Sequence, residues 1–362
     1  MRSKLCNAAA ALTVAFMVIM HVSGYACTTF IVGERDSQLF GRNFDWGFGD
    51  GYVIVNKRGV HKTAFKSWMD GENGRPVAWT SKFGSVTFNQ YGQEFPQGGM
   101  NEAGLVVESL ALRSTRFPAP DSRPYFPSAQ LYRQYLLDTC SSVKNVIESD
   151  SKVRISYDAS KGIGIHLLIL DRDGNAAIIE FLDGKTVGYT GESLPVRALA
   201  NDTYQESLEY WKSGTSPIID HYDSIERFTM AANLVQNHTT ALSKPSLEQT
   251  FDYLGRVASR RTRWSIAYDN RGMKIHLRTD GNARIRTIDA AKFDFSCKTP
   301  AMALDINDNL AGDVTQNFKS YDPETNLHLV KTSYRKLGSK YRVPEKAVEF
   351  MGKYPQQCKC LE

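Results

Sequence analysis

The sequence predicts an α+β fold with largely antiparallel sheets, and three observations support this class. Segments with strand propensity occur in groups joined by hairpin turns, such as those at residues 172–175 and 183–184. Helical segments stand between these groups and do not alternate with single strands, which is typical of α+β folds. No long linker, low-complexity tract or repeat divides the 362 residues. We therefore expect one domain over residues 27–362, with a C-terminal extension beyond about residue 300.

The first half of the chain is predicted to be mostly strands. Alternating or continuously apolar segments predict strands at residues 28–32, 38–43, 52–57, 79–88 and 104–112. Two helices are expected to follow, at residues 127–139 and 141–149. The first of them carries Leu131, Tyr135 and Leu136 at helical spacing.

The second half repeats this order of strands and helices. A second group of strands is predicted at residues 165–189, and helices at residues 204–211, 224–236 and 246–258. A third group of strands follows at residues 263–288, with turns at residues 270–272 and 280–281. The polar segment beyond residue 300 has no pattern that assigns it to helices or strands.

The first 26 residues have the composition of a secretory signal peptide. Two basic residues near the start precede an apolar run at residues 8–20, which is short for a membrane span. Gly24 and Ala26 are the small residues expected at a cleavage site. We therefore expect a bacterial protein that is exported, periplasmic or secreted, with Cys27 as its first residue after cleavage.

The cysteine count indicates a free thiol. Cys6 would leave with the signal peptide, and an odd number of cysteines would remain, at positions 27, 140, 297, 358 and 360. Cys27 is the candidate for the unpaired one, and the other four allow up to two disulfides. Cys358 and Cys360 are separated by one residue and would more easily bond elsewhere than to each other, with Cys297 and Cys140 as candidate partners.

An N-terminal cysteine is chemically useful because it carries a nucleophile and a base on one residue. The reference pKa is about 8.5 for a thiol and about 7.7–8.0 for an α-amino group, so near neutrality the amine can accept the thiol proton. Two other interpretations of Cys27 remain open. It could be the lipid-modified cysteine of a lipoprotein, although Gly24 and Tyr25 do not fit a lipobox, or it could be half of a disulfide.

Six short segments, in order along the chain, resemble the choloylglycine hydrolase and penicillin V acylase family. This family consists of N-terminal-nucleophile linear amide C–N hydrolases. The segments are CTTF at residues 27–30, GRNFDW at 41–46, GMNEAGL at 99–105, LAND at 199–202, SIERF at 224–228 and TRW at 262–264. The resemblance implies a four-layer αββα sandwich of two facing antiparallel sheets, with Cys27 at a strand end and no cofactor.

The resemblance also implies a role for each matched polar residue. Cys27 would supply both nucleophile and base, and the fixed charge of Arg42 would favour its thiolate. Asp45 would accept a hydrogen bond from the α-amino group. The side-chain amide of Asn201 would donate to the oxyanion, and Arg227 would complete the polar network.

Two further positions concern the oxyanion and the substrate. The resemblance implies a second oxyanion donor at the backbone N–H of Ala111, where relatives often carry Asn, Tyr or Trp. Trp46 is expected to contact the substrate. The Asp45-Trp46 pair and the export signal are similar to the Gram-negative branch of the family, which favours penicillin V or N-acyl homoserine lactones as substrates. Conjugated bile salts are the alternative.

Several other function classes have little support in the sequence. No histidine has a zinc-ligand spacing, no phosphate-binding loop is present, and the formal net charge of +5 is not concentrated in a basic stripe. We therefore expect a small-molecule amide as partner, with no metal, nucleic acid or membrane span, and a homo-oligomer as in many family members. Two rival hypotheses are a lipid-anchored periplasmic binding protein and a papain-like hydrolase that pairs Cys140 with a histidine.

Overall fold

The computed structural model describes residues 27–34, 36–66, 74–156, 163–215, 223–240, 244–338 and 343–362. The predicted signal peptide lies outside these ranges. Within them, no helix combines the length and the apolar composition that a membrane crossing requires.

The described residues alternate between groups of strands and groups of helices. The strands are β1 (Thr28–Val32), β2 (Leu39–Asp45), β3 (Tyr52–Asn56), β4 (Val60–Thr63), β5 (Ala78–Thr80), β6 (Ser85–Asn89), β7 (Gly98–Asn101), β8 (Val106–Ala111), β9 (Tyr125–Phe126), β10 (Arg154–Ile155), β11 (Ile165–Leu170), β12 (Ala176–Leu182), β13 (Lys185–Thr190), β14 (Ala198–Leu199), β15 (Thr262–Asp269), β16 (Lys274–Thr279), β17 (Arg286–Asp289), β18 (Met302–Asp305), β19 (Gly312–Asp313), β20 (Lys319–Ser320) and β21 (Lys359–Cys360). The helices are α1 (Ala129–Thr139), α2 (Val143–Ser149), α3 (Tyr204–Lys212), α4 (Ser224–Thr240), α5 (Leu247–Arg256), α6 (Pro323–Leu337) and α7 (Glu345–Lys353).

Most strands belong to two large sheets. One sheet has the order β14-β1-β2-β15-β16-β17-β19, and the other has the order β13-β12-β11-β8-β7-β6-β3-β18-β20. Neighbouring strands in both are antiparallel except β17 and β19, which are parallel. A smaller sheet has the order β21-β4-β5.

The two large sheets pack face to face, and helices cover their outer faces. Between the sheets, the ring of Phe88 on β6 lies 6.3 Å from Trp264 and 6.2 Å from Tyr268, both on β15. Helices α4 and α5 contact β1, β2 and β15 of the first sheet, whereas α1 contacts β7 and β8 of the second. The expected α+β fold, with four layers and two facing antiparallel sheets, is thereby confirmed.

Local sequence signals explain why most predicted elements form. The N-cap residues Ser128 of α1 and Ser142 of α2 each accept a hydrogen bond from a backbone N–H in the first turn. At α5, Ser246 and Gln249 form a capping box. The predicted turn at residues 183–184 joins β12 to β13, with Asp183 at a φ of 50° and Gly184 at 75°.

The prediction of one strand at residues 79–88 is wrong. This segment forms β5 in the small sheet and β6 in a large sheet. The chain turns between them because the N–H groups of Lys82 and Phe83 both donate to the carbonyl of Asp138, at the end of α1. This anchor lies more than fifty residues along the chain, so strand alternation could not reveal it. The prediction also missed β4 and β7.

The described residues beyond residue 300 form strands and helices that pack against the rest of the molecule. Strand β18 pairs with β3 in a large sheet, and α6 packs against α7. Ser333 of α6 donates to the carbonyl of Gln90, and Lys336 forms an ion pair of 2.6 Å with Asp50. The C-terminal segment therefore packs on the residues that follow β2 and β6.

One disulfide, between Cys297 and Cys360, is present in the described part of the chain. Cys27, Cys140 and Cys358 are free. Burial raises the pKa of the Cys140 thiol to about 11, and a hydrogen bond joins this thiol to the hydroxyl of Thr139. No hydrogen bond between Cys140 and a histidine occurs among the described residues, so the papain-like hypothesis has no catalytic pair to support it.

Candidate active site

The site forms where β1 and β2 run side by side. Cys27 immediately precedes β1, and the antiparallel register pairs Thr28 with Asn43 and Thr29 with Arg42. Asp45 ends β2 and pairs with Thr262 of β15, where a bulge shifts the register. Such bulges at strand ends redirect side chains. The Cys27 and Arg42-Asp45 segments, fifteen or more residues apart in sequence, therefore become neighbours.

The Cys27 thiol lies next to a buried guanidinium. Nη2 of Arg42 donates toward Sγ at 3.9 Å, and the backbone carbonyl of Asp45 also lies 3.9 Å from Sγ. Cys27 is 4% exposed. Burial raises the pKa of the thiol, and the charge of Arg42 opposes that increase. The thiolate is thus disfavoured by desolvation and favoured by its nearest cation.

Asp45 has one occupied and one vacant hydrogen-bonding oxygen. Oδ1 accepts from Oγ1 of Thr262 at 2.6 Å. Oδ2 is buried and has no hydrogen-bond partner among the described residues. Burial raises the pKa of this carboxyl, and the charge of Arg227 and the side-chain hydroxyls of Thr262 and Ser259 oppose the increase. A buried polar atom without a partner is rare in native proteins, so Oδ2 is suited to receive a donor close to Cys27.

Arg227 on α4 connects the two chain segments that flank the site. Its Nη1 donates to the carbonyl of Cys27 at 2.7 Å and to Oγ1 of Thr28 at 2.5 Å. Its Nη2 donates to Oδ1 of Asn201 at 3.1 Å. Burial lowers the pKa of Arg227, but a guanidinium remains charged at neutral pH. This residue therefore holds the backbone of Cys27 and orients the amide of Asn201.

Asn201 follows β14 and is held at both its backbone and its side chain. Its backbone N–H donates to Oγ of Ser224 at 2.6 Å, and Nδ2 donates to the carbonyl of Ala111 at 2.8 Å. Since an amide nitrogen carries two hydrogens, a second donor remains on Nδ2. The preceding residue, Ala200, accepts from the ring of His166, whose other nitrogen contacts Glu180 at 2.9 Å. His166 is thus a buried core residue whose two ring nitrogens both have partners.

The backbone N–H of Ala111 points away from β11. The N–H of Leu112 donates to the carbonyl of Gly164, and Ala111 is aligned with Ile165. Hydrogen-bonded and non-hydrogen-bonded pairs alternate in antiparallel ladders, so the N–H and C=O of Ala111 face the opposite side. The carbonyl on that side accepts from Asn201. The N–H of Ala111 and the amide of Asn201 are consequently on the same side of β8.

Trp46 lies in an aromatic cluster next to Asp45. Its ring stacks on Phe44 with centroids 6.0 Å apart and meets the edge of Tyr91 at 6.5 Å. Tyr91 in turn lies 5.3 Å from Tyr334 of α6. Trp46 is 8% exposed. The C-terminal segment thus supports the aromatic side of the site, a role that the sequence did not indicate.

Two polar residues of the site were missed by the sequence analysis. Thr262 was part of a matched segment but had no assigned role, and it holds Oδ1 of Asp45. Glu108 on β8 is buried and forms an ion pair of 2.7 Å with Nε of Arg42. The available signal for Glu108 was one acidic residue inside the apolar run LVVESL at residues 105–110.

The residues gathered here are suited to nucleophilic chemistry on a neutral acyl group. They supply a thiol, two fixed cations, a carboxylate with a vacant oxygen and two N–H donors on one side of β8. Within the described ranges, no group of three or more His, Cys, Asp or Glu side chains is arranged to hold a metal ion.

Comparisons with known proteins identify relatives of this chain. A model of the linear amide C–N hydrolases, choloylglycine hydrolase family, matches residues 27–242. A penicillin V acylase of Pectobacterium atrosepticum is 22% identical over 373 residues, covering 86% of this chain and 95% of the relative.

Solved structures give the same result for the fold. The penicillin V acylase from Agrobacterium tumefaciens has a TM-score of 0.68 at 24% identity, over 82% of this chain and 98% of that one. A variant of the conjugated bile acid hydrolase from Clostridium perfringens has a TM-score of 0.65 at 17% identity, over 79% of this chain and 98% of that one. At these identities the structural likeness establishes a shared fold.

Proposed function

Because the chain belongs to the choloylglycine hydrolase family of linear amide C–N hydrolases, we propose that Cys27 is the nucleophile with which it cleaves an N-acyl amide. Release of residues 1–26 would give Cys27 the free α-amino group that serves as its base. The observation that carries this proposal is the vacant Oδ2 of Asp45, in a residue whose own carbonyl lies 3.9 Å from the thiol. An α-ammonium or α-amino group is the donor that this oxygen would accept.

The first half of the reaction forms a thioester. The α-amino group takes the proton of the thiol, and Sγ attacks the acyl carbon of the substrate. The carbonyl oxygen becomes an oxyanion, which accepts from the free hydrogen on Nδ2 of Asn201 and from the N–H of Ala111. The α-ammonium then returns its proton to the leaving nitrogen, the C–N bond breaks, and the amine product departs.

The second half regenerates the enzyme. A water molecule loses a proton to the α-amino group and attacks the thioester carbon through the same oxyanion site. The tetrahedral intermediate collapses, Sγ leaves with the proton from the α-ammonium, and the carboxylic acid is released. Arg42 and Arg227 keep fixed positive charge close to the sulfur through both halves, which favours the thiolate whenever it forms.

We propose substrates of the penicillin V or N-acyl homoserine lactone type. The buried aromatic cluster of Trp46, Phe44 and Tyr91 lies beside Asp45, and its apolar side chains would suit contact with an aromatic or alkyl acyl group. The penicillin V acylases of Pectobacterium and Agrobacterium support this class, whereas the Clostridium relative acts on conjugated bile acids. Export to the periplasm or medium is likewise a proposal and rests on residues 1–26.

The experiment is the intact mass of protein purified from its exported form, followed by hydrolysis assays. We expect a mass that begins at an unmodified Cys27. A lipid-increased mass, or one that retains residues 1–26, would remove the proposed base and support the anchored binding protein. Cys27→Ser should abolish hydrolysis. Cys140→Ser, which alters another buried free thiol, is the matched control and should keep it.

The substrate class is tested with three amides under the same conditions. Phenoxyacetyl amides and N-acyl homoserine lactones should be hydrolysed with higher kcat/KM than glycine-conjugated bile salts. The reverse order would assign the bile salt activity instead and leave the role of Cys27 unchanged.

A further inference from the structure

The position of Arg42 depends on a carboxylate from the opposite sheet. Arg42 lies on β2, and Glu108 lies on β8 of the facing sheet. Nε of Arg42 is 2.7 Å from Oε2 of Glu108, and their side chains are 2% and 1% exposed. This ion pair crosses the interior between the two sheets and is absent from the motifs that the sequence suggested.

The ion pair at Nε determines where the other end of the guanidinium points. A guanidinium is planar, so a contact that holds Nε also limits the directions of Nη2. Here Nη2 reaches the carbonyl of Ser109 at 2.8 Å and Sγ of Cys27 at 3.9 Å. Ser109 is next to Glu108 in β8, so one strand supplies both contacts that aim Arg42 at the thiol.

Residues on β15 and β7 closely surround the carboxylate of Glu108. Oε1 accepts the hydroxyl of Tyr268 on β15. On the neighbouring strand β7, a Cβ at Gly98 would lie 2.0 Å from Oε2, so any larger residue there would displace the carboxylate. Burial raises the pKa of Glu108 to about 7, and the charge of Arg42 opposes the increase.

A second cation faces the same carboxylate from α1. Arg133 is buried, and its Nε donates to the carbonyl of Pro96 at 2.9 Å. Burial lowers the pKa of Arg133 to about 9, and the charge of Arg42 lowers it further, whereas Glu108 raises it. The ionisable groups that face Glu108 are therefore Arg42, Arg133 and Tyr268.

We propose that Glu108 is a positioning residue for the hydrolysis, which holds Arg42 against Cys27 and limits the net positive charge that the thiol experiences. This inference rests on the proposed function of Cys27. Without the carboxylate, the guanidinium would lose the contact at Nε and could turn away from Sγ. With it, part of the charge of Arg42 is neutralised, so the thiol keeps its proton until the α-amino group removes it.

Two substitutions of Glu108 distinguish the effect of its contact with Arg42 from the effect of its negative charge. In Glu108→Gln, the amide oxygen can keep the close contact with Nε of Arg42 while the amide nitrogen donates to the hydroxyl of Tyr268, so the geometry is kept and the negative charge is lost. In Glu108→Leu, both the contact and the charge are lost. The readout is the rate of alkylation of Cys27 by iodoacetamide as a function of pH, followed by mass spectrometry of the Cys27 peptide in the processed full-length protein.

The two variants should shift the pH midpoint of Cys27 alkylation in opposite directions. For Glu108→Gln we expect the alkylation midpoint to fall by about one pH unit, because Arg42 would then face Sγ without a carboxylate that partly neutralises its charge. For Glu108→Leu we expect the midpoint to rise and kcat to fall by about tenfold or more, with a smaller change in KM, because Arg42 no longer faces Sγ. If Glu108→Leu does not fold, the proposal is tested by Glu108→Gln alone, through the expected decrease in its alkylation midpoint.

Glu94→Gln is the matched control. Glu94 is another buried glutamate in an ion pair, at 2.5 Å from Nζ of Lys62, and it has no contact with the thiol among the described residues. It should leave the alkylation midpoint unchanged. The proposal is overturned if folded Glu108→Gln titrates as the wild type does, or if Glu94→Gln shifts the midpoint equally. A shifted midpoint combined with normal hydrolysis by Cys27→Ser would instead overturn the proposed nucleophile and leave the positioning of Arg42 by Glu108 intact.

Discussion

Two buried clusters of charged residues, both within the described part of the chain, differ in how completely their groups are paired. The lysine cluster consists of Lys62, Glu94 and Asp138. Nζ of Lys62 lies 2.5 Å from Glu94 and 2.9 Å from Asp138. Asp138 also accepts from Nε1 of Trp79 at 2.7 Å and from Gln134 at 2.8 Å. Although burial alone would lower the pKa of Lys62, the two carboxylates raise it above its usual value.

The thiol cluster consists of Cys27, Arg42, Asp45, Glu108 and Arg227. Both of its cations donate to backbone carbonyls, and Arg42 also lies 3.9 Å from the sulfur, while Oδ2 of Asp45 has no partner among the described residues. Burial raises the pKa of both the thiol and the Asp45 carboxyl. This cluster is therefore incomplete in hydrogen bonds, whereas the lysine cluster satisfies its own charged groups.

The difference indicates which cluster serves stability and which serves chemistry. In a fully paired buried cluster, removal of one partner destabilises the fold because the remaining charge is left buried and uncompensated. A buried acceptor without a partner costs free energy unless a donor arrives, and such costs are concentrated at functional sites. The α-amino group of a processed Cys27 is the donor that would complete the thiol cluster.

After the loss of Cys27 itself, the largest effect on activity is expected from Asp45→Asn. The neutral amide would hold the α-amino group less firmly, so we expect kcat/KM to fall by at least about a hundredfold, as for loss of a general-base contribution. The measurement is steady-state hydrolysis of the preferred amide. Asp138→Asn makes the same change in the lysine cluster and should lower stability while leaving kcat/KM of the folded protein unchanged. Equal losses in both variants would contradict the division between the clusters.

The largest effect on stability is expected from Lys62→Met. This change leaves the carboxylates of Glu94 and Asp138 buried without their cation, so the free energy of unfolding should fall by about 3–5 kcal/mol. Urea unfolding followed by tryptophan fluorescence provides the measurement. Hydrolysis by the fraction that remains folded should be normal. A stability equal to the wild type would show that the lysine cluster contributes nothing to the fold.

A smaller effect is expected in the pH dependence of stability. The pKa of Glu108 is raised by burial from its reference value of 4.5 to about 7, so the folded protein binds this proton more tightly than the unfolded chain. The free energy of unfolding should therefore decline as the pH rises through this interval, and the decline should be weaker in Glu108→Gln. Parallel curves for the two proteins, measured by urea unfolding between pH 4.5 and pH 7, would contradict the raised pKa.

The smallest effect is expected from Thr262→Val. This nearly isosteric change removes the hydrogen bond to Oδ1 of Asp45, and we expect kcat/KM to fall by about tenfold, equivalent to about 1.4 kcal/mol. The counterpart in the other cluster is Trp79→Phe, which removes a donor to Asp138 and should reduce stability alone. If Thr262→Val lowers stability but not kcat/KM, the orientation of Asp45 by this hydroxyl is not required.

Much of the fold was determined by the sequence alone. Sequence signals within a few residues predicted several strands and the turn at residues 183–184. They also predicted the helices that have Ser128 and Ser246 at their N-caps. The family resemblance of the matched segments also implied that several of their polar side chains would lie close to Cys27. Arg42, Arg227 and Asn201 are indeed linked, directly or through one another, to Cys27.

Tertiary structure alone decided the rest. The split of residues 79–88 depends on the carbonyl of Asp138, the disulfide joins Cys297 to Cys360, and the ion pair of Arg42 uses Glu108 from the other sheet. Each of these contacts joins residues more than fifty positions apart. Periodicity and turn chemistry report on neighbours in the chain, so they could place Glu108 in a buried strand but could not identify the cation that faces it. The facing residue is decided by how the two sheets pack, because only that packing brings β2 and β8 together.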